Sequence, residues 1–211
     1  MLLLIFLTAA LSSLNESEAE RLIRQGQAML EAENYPEALK ITATMIAAND
    51  RIAEVHVIRA DILNRLDRNT EAIEAYTTGL KLDPTFKHAY HNRAMVYWRL
   101  LQHQLAIEDF EQAIKVDPEN QHSINNQSIY NNIGLVYQEM GSKKAASDAY
   151  WMATVVDKSY AEAWYNRGYV AELQYDYASA KWNYEQAVEA EPDNEIYQLA
   201  LLRADFGLNR D

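Results

Sequence analysis

Residues 161–192 read AEAWYNRGYVAELQYDYASAKWNYEQAVEAEP, which places two short amphipathic segments on either side of a tight turn. In each segment, apolar and small residues recur at the spacing of one helical face, so the stretch predicts two packed helices. The turn is Tyr175-Asp176-Tyr177, and Pro192 ends the second helix. The residues on the two faces are Trp164, Arg167, Gly168 and Ala171 in the first helix, and Ala180, Tyr184 and Ala187 in the second.

This alternation of small and large residues recurs along the chain. Gly134 lies 34 residues before Gly168, and earlier copies follow at steps of 40, 34 and 34 residues. A fixed period of this length is typical of helical solenoids. The small position is held by Gly26, Ala60, Ala94, Gly134 and Gly168, and the large position by Thr42, Tyr76, Phe110, Tyr150 and Tyr184.

The period and the residue types resemble the tetratricopeptide repeat, whose unit is 34 residues long. The resemblance implies an all-α fold, a right-handed α-solenoid of five helix pairs followed by a capping helix. Its ranges are 19–52, 53–86, 87–120, 127–160 and 161–194 for the repeats, 121–126 for a polar insert, and 195–211 for the capping helix and tail. We expect the insert to form a longer loop or to extend a helix at its start, rather than to add an element.

Composition excludes several functions. The chain has 211 residues and a net charge of −12, which disfavours nucleic acid and anionic membrane surfaces because both need basic residues to neutralise phosphate. It has no cysteine, so disulfides and thiolate metal sites are excluded.

The first residues, MLLLIFLTAAL, are apolar and uncharged. A membrane span needs about 20 apolar residues, so this run is too short to cross but fits the apolar core of a secretory signal. We therefore expect residues 1–17 to be a signal-like segment with a short polar joint, and the chain to be periplasmic or secreted. No Lys or Arg precedes the run, which leaves two alternatives: an uncleaved anchor touching the membrane through residues 1–11, or a helix packed on the first repeat. The protein would then be membrane-anchored or cytoplasmic.

No catalytic constellation stands out, and no glycine-rich phosphate loop or paired Ser and His occurs at a recognisable spacing. His88 and His91 lie three residues apart on one helix, but two imidazoles alone make a weak metal site. The sequence therefore predicts no enzymatic activity, no cofactor, no metal and no small-molecule substrate.

The resemblance implies that the first helices of successive repeats line a concave groove that binds peptides. Asn92, Asn132 and Asn166 occupy the same place in three repeats, and an amide can pair with both polar groups of a peptide unit. They resemble the asparagine ladder of the O-linked N-acetylglucosamine transferase repeats; alternatively, Asn is simply common at this position. We expect them to face solvent. The candidate groove residues are His88, His91, Asn92, Trp98, Arg99, Asn131, Asn132, Gln138, Tyr165, Asn166 and Tyr169.

Two further expectations concern the outside of the solenoid. Trp151 and Trp182 each cover a neighbouring helix or, if both are exposed, form an apolar patch that suggests a second interface. In the capping helix, Asn194 is expected to cap the start. The side chains expected to cover the last repeat are those of Ile196, Leu199, Ala200 and Leu202, with Arg203 and Asp205 facing water.

These features favour a non-enzymatic adaptor that binds an extended peptide or protein segment in the groove. The alternative is a structural subunit of a larger assembly, or a self-associating solenoid, that uses its convex face or its ends.

Overall fold

The computed structural model describes residues 16–120 and 124–209, with side chains from Glu20 onward. The signal-like segment, residues 1–11, and residues 121–123 of the insert lie outside the described residues. Within the described ranges the chain forms eleven helices and no strand. None of these helices combines the length and the apolarity needed to cross a bilayer.

The helices follow the expected pairs, and the prediction of an all-α solenoid with a terminal helix is confirmed. The first helix begins at Glu16, so the last two residues of the expected polar joint are helical. The chain divides into two compact units after Val96, within the fifth helix. The helices are α1 (Glu16–Glu31), α2 (Tyr35–Ala48), α3 (Ala53–Arg65), α4 (Asn69–Leu82), α5 (Lys87–Arg99), α6 (His103–Val116), α7 (Asn126–Glu139), α8 (Lys143–Val156), α9 (Ala161–Glu172), α10 (Tyr177–Ala190) and α11 (Glu195–Leu208).

The same turn joins the two helices of every pair. One residue of the turn adopts a left-handed backbone, with φ between 55° and 74°, and the next N–H bonds back to a carbonyl five residues earlier. This arrangement satisfies carbonyls that the helix end would otherwise leave unpaired. Only one of the five positions is a glycine. They are Glu33, Asp67, Leu101, Gly141 and Tyr175, which follow the repeat spacing of the sequence.

Small residues let the paired helices approach closely, as the repeat pattern predicts. A Cβ added at Gly134 would lie 2.4 Å from the ring of Tyr150, and one at Gly168 would lie 2.7 Å from the ring of Tyr184. Both rings are fully buried. Glycine is therefore required at these two positions because the tyrosine of the next helix occupies the space of a side chain.

The insert joins α7 without adding an element in its described part. Ile124 and Asn125 precede the helix, and Asn126 is its first residue. The buried Asn126 side chain donates from Nδ2 to the carbonyl oxygen of Asp117 at 2.9 Å. This bond ties the start of α7 to the end of α6.

The terminal helix α11 packs through a different face from the one predicted. Its buried residues are Tyr197, Ala200, Ala204 and Gly207. Of the four residues expected to cover the fifth repeat, only Ala200 does so; the other three are at least 62% exposed. The prediction for Ile196, Leu199 and Leu202 is therefore wrong.

Close approach decides which face of α11 is used. A Cβ at Gly207 would lie 2.4 Å from the ring of Tyr177, so α11 meets α10 through small residues. Arg203 and Asp205 face water as expected, with side chains 51% and 48% exposed, and they also form ion pairs with Glu172 and Lys181 of the fifth repeat. The start of the helix is as expected, since the Asn194 side chain accepts from the backbone N–H of Ile196 at 3.1 Å.

Candidate functional site

In the first unit, one of the predicted groove residues, Asn92, bonds to the half-buried carboxylate of Asp61. Asp61 accepts hydrogen bonds from the Tyr76 hydroxyl and from Asn92 Nδ2, the latter at 3.0 Å. Burial raises the pKa of Asp61, although these two hydrogen bonds and the nearby His88 oppose the shift. The amide nitrogen of Asn92 is therefore used within the protein, where it links α5 to α3.

The two histidines of α5 are half-buried. His88 packs edge-on against Phe86 with ring centroids 5.7 Å apart, and His91 Nδ1 lies 3.2 Å from Asn92 Oδ1. Burial lowers the pKa of His91, which favours the neutral ring at pH 7. Across residues 16–120 and 124–209, no group of three or more metal-ligating side chains is placed to hold a metal ion.

In the second unit, the asparagines connect neighbouring repeats. Asn131 is only 2% exposed; its Oδ1 accepts from Asn166 Nδ2 at 2.9 Å, and its Nδ2 donates to Glu162 at 3.1 Å. Asn132 is half-buried. The expectation that the ladder amides face solvent is thus wrong for Asn92 and Asn166, whose nitrogens already bond to the preceding repeat.

Other predicted groove residues are also partly engaged. Trp98 Nε1 donates to Glu139 at 2.7 Å, which fixes its half-buried ring. Gln138 accepts from the buried Tyr150 hydroxyl at 3.1 Å, whereas Arg99 is exposed. These contacts use polar atoms that the sequence analysis assigned to peptide binding.

A pocket opens between α9, the turn that follows it, and α11. Its volume is about 360 Å³. Two of its residues, Tyr165 and Tyr169, were predicted from the sequence. We call it the tyrosine pocket, and its lining residues are Tyr165, Tyr169, Glu172, Leu173, Tyr175, Tyr177 and Arg203.

An ion pair forms the polar side of the tyrosine pocket. The Arg203 guanidinium bonds to both oxygens of the Glu172 carboxylate, at 2.5 and 2.7 Å, and Tyr184 donates to the same carboxylate at 2.7 Å. The hydrogen bonds from Arg203 lower the pKa of Glu172, against the opposing effect of burial. The pocket therefore carries little net charge of its own.

The apolar side of the tyrosine pocket is open to solvent. Tyr169 is 36% exposed, Leu173 42% and Tyr175 80%. Tyr165 is held more firmly, because its ring packs against Tyr184 and Tyr197. Leu173, Tyr175 and Arg203 were not predicted from the sequence, because they lie at a helix end, on a turn and on the terminal helix, respectively. The available signal was the large aromatic residue Tyr175 in the turn.

The two tryptophans satisfy both expectations made for them. Trp151 and Trp182 pack edge-on against Trp164, with ring centroids 6.0 and 5.3 Å away, yet remain 42% and 46% exposed. The Arg167 guanidinium lies 4.6 Å from the centroid of the Trp151 ring. This is a second exposed aromatic surface, separate from the lining of the tyrosine pocket.

Comparison with solved structures gives matches to the fold. MamA from Desulfovibrio magneticus RS-1 matches with a TM-score of 0.72 and 18% identity, over 86% of this chain and 99% of that one. YrrB, described as a TPR protein with an unusual peptide-binding site, matches with a TM-score of 0.70 and 17% identity, over 88% of this chain and 93% of that one. PilF of Pseudomonas aeruginosa matches with a TM-score of 0.71 and 16% identity, over 90% and 84%.

No curated protein matches the sequence. Three sequence profiles of one family do match, and together they cover more than half of the chain. All are described as tetratricopeptide repeat, and they match residues 23–85, 88–120, and 127–150 with 161–194. With the repeated turn, the tyrosine-over-glycine packing and the solved structures of the same fold, these matches show that the chain belongs to the tetratricopeptide repeat family.

Proposed function

We propose that this protein is a non-enzymatic adaptor that binds an extended peptide segment of a partner protein through the tyrosine pocket. The family and fold support a role in protein–protein interaction. The observation that carries the finer proposal is the pocket itself, an open cavity of about 360 Å³ with aromatic walls.

The chemistry of the pocket suits peptide side chains. Tyrosine offers a large apolar face with a polar end, and it is enriched among the residues that dominate binding energy at interfaces. Tyr169, Leu173 and Tyr175 can cover an apolar side chain, while the Arg203–Glu172 pair supplies donors and acceptors at the edge. An uncharged or aromatic side chain therefore fits the pocket better than a free acidic group.

The conformation of Tyr175 supports this assignment. Its φ is 61°, the left-handed conformation that this turn adopts in all five repeats. The geometry of the turn therefore fixes where this side chain lies. Here it holds an 80% exposed ring at the mouth of the pocket.

The proposal is tested by selection from a random dodecapeptide phage library on the immobilised protein. Selected peptides are then titrated against Tyr169→Ala and Tyr175→Ala by fluorescence anisotropy. We expect each substitution to weaken binding by about 10-fold or more, as truncating an interface tyrosine commonly does.

The matched control is Trp151→Ala, which removes an aromatic ring of similar exposure outside the pocket. It should leave peptide affinity within about twofold of the parent protein. Failure to select any peptide, or peptides that bind the tyrosine variants and the parent equally, would refute the pocket as the binding site.

A further inference from the structure

The outer side of α11 carries a row of large exposed apolar side chains. We call this row the outer stripe. Its members lie three or four residues apart, so they share one face of the helix. They are Ile196 (62% exposed), Leu199 (62%), Leu202 (64%) and Phe206 (62%).

The outer stripe occupies a face of α11 beside the buried one, which carries Tyr197, Ala200, Ala204 and Gly207. At 3.6 residues per turn, the centres of the two faces are about 125° apart around the helix. In a solenoid, each helix pair covers the apolar face of the previous one, and a terminal element needs a polar outer face to stay soluble. The last described helix of this chain instead presents four large apolar residues. Contiguous apolar patches of this kind mark interaction sites on soluble proteins.

We propose that the outer stripe is a dimer interface, in which two copies of the chain pack their α11 helices antiparallel about a two-fold axis. A two-fold contact requires a surface that is complementary to itself. The stripe meets this requirement because its residues are spaced almost symmetrically about position 201. Antiparallel pairing places Ile196 opposite Phe206 of the second copy, and Leu199 opposite Leu202.

The charges on α11 permit this contact. The net charge of −12 opposes self-association in general. On α11, however, Arg203 bonds to Glu172 and Asp205 accepts from Lys181 at 2.6 Å, so these two charges are already paired within one copy. The third charged residue, Glu195, is exposed at the start of the helix. Antiparallel pairing therefore keeps the two copies of Glu195 at opposite ends of the contact.

The size of the stripe sets the strength of the dimer. A helix of 14 residues is about 21 Å long, so a single helix–helix contact lies at the small end of protein interfaces. We therefore expect a concentration-dependent dimer with a dissociation constant in the micromolar range, roughly 1–100 μM.

Analytical ultracentrifugation of the full 211-residue chain tests the proposal, with loading from about 1 to 500 μM so that mass action shifts the population. The weight-average mass should rise from 24.2 kDa toward twice that value. Leu199→Glu with Leu202→Glu should remain monomeric throughout. Val155→Glu, which changes a 53% exposed residue of α8, should dimerise like the parent.

The orientation is tested by disulfide cross-linking, because the chain contains no cysteine of its own. In the antiparallel dimer, the cysteine introduced by Ile196→Cys lies about 15 Å from the same cysteine of the second copy, which is too far for a disulfide. Ile196→Cys combined with Phe206→Cys should form covalent dimers on oxidation, while each single variant should not.

Several results would overturn the proposal: a monomer at all concentrations, a dimer that survives the two glutamates, or covalent dimers of Ile196→Cys alone. The test is independent of peptide binding, since Tyr169→Ala leaves the outer stripe intact and should dimerise normally.

Discussion

Replacing Asn131 by Ala should destabilise the second unit, although the residue lies in what the sequence presents as a solvent-exposed groove. The amide is 2% exposed and makes two hydrogen bonds, of 2.9 and 3.1 Å, to Asn166 and Glu162 on the next repeat. Each such bond contributes about 0.5–1.5 kcal/mol net, so losing both costs about 1–3 kcal/mol. Alanine returns up to about 0.7 kcal/mol through its higher helix propensity. The expected loss is therefore about 0.3–3 kcal/mol.

Urea unfolding followed by circular dichroism measures this change, and a double-mutant cycle isolates the bond between the two asparagines. Asn166→Ala alone loses one of the bonds and should cost less than Asn131→Ala. The double variant loses that shared bond only once, so the two single effects should exceed the double effect by about 0.5–1.5 kcal/mol. The interpretation fails if Asn131→Ala matches the parent within about 0.3 kcal/mol, or if the two effects simply add.

Three further predictions follow from other contacts. Gly134→Ala should lower the melting temperature, because overpacking costs about 1–3 kcal/mol and the gain in helix propensity is only about 1 kcal/mol. Gly26→Ala should raise the melting temperature, because the added Cβ lies 3.8 Å from its nearest neighbour. A higher melting temperature for both variants would refute the packing argument. Arg203→Met should lower the free energy of unfolding at pH 7, and this loss should shrink as the pH falls through the lowered pKa of Glu172, because a protonated carboxyl no longer gains from the ion pair. An equal loss at pH 7 and at acid pH would contradict this prediction. We propose that residues 1–10 are removed on export, so that intact-mass spectrometry of the native protein finds a chain beginning within 11–14, and retention of Met1 would contradict this.

The repeat architecture could be predicted from the sequence because it depends on side-chain size at fixed spacing. Gly134 and Gly168 mark places where only a residue without a Cβ fits beneath a tyrosine ring, and that requirement is visible as a small residue in register with an aromatic one. Size is a property of the residue itself. The helices and their pairing therefore follow without knowledge of distant contacts.

Hydrogen-bond partners could not be predicted in the same way. Asn166 bonds to a residue 35 positions earlier, and Asn92 to one 31 positions earlier. Neither separation equals the repeat length, so the partner depends on how adjacent helices are rotated. The sequence shows that an amide recurs, but not whether it faces a ligand or the neighbouring repeat.

The orientation of α11 illustrates a second limit. Ile196, Leu199 and Leu202 form an apolar face, and so do Tyr197, Ala200 and Ala204 on an adjacent face. Hydrophobicity alone favours burial of the three large aliphatic side chains. The structure instead buries the face with the two alanines, because close approach to Tyr177 requires Gly207 at the contact.

The packing of the second unit has a mechanical consequence. Its major helix contacts join successive helices, from α6 to α11, and each helix is supported mainly by the two beside it. In such an arrangement, a pulling force is passed from each helix to the next, so individual helices can separate one at a time. Tension applied at the end of α11 would act first on the Arg203–Glu172 and Lys181–Asp205 pairs, so that the terminal helix could detach while α7 and α8 keep their shape.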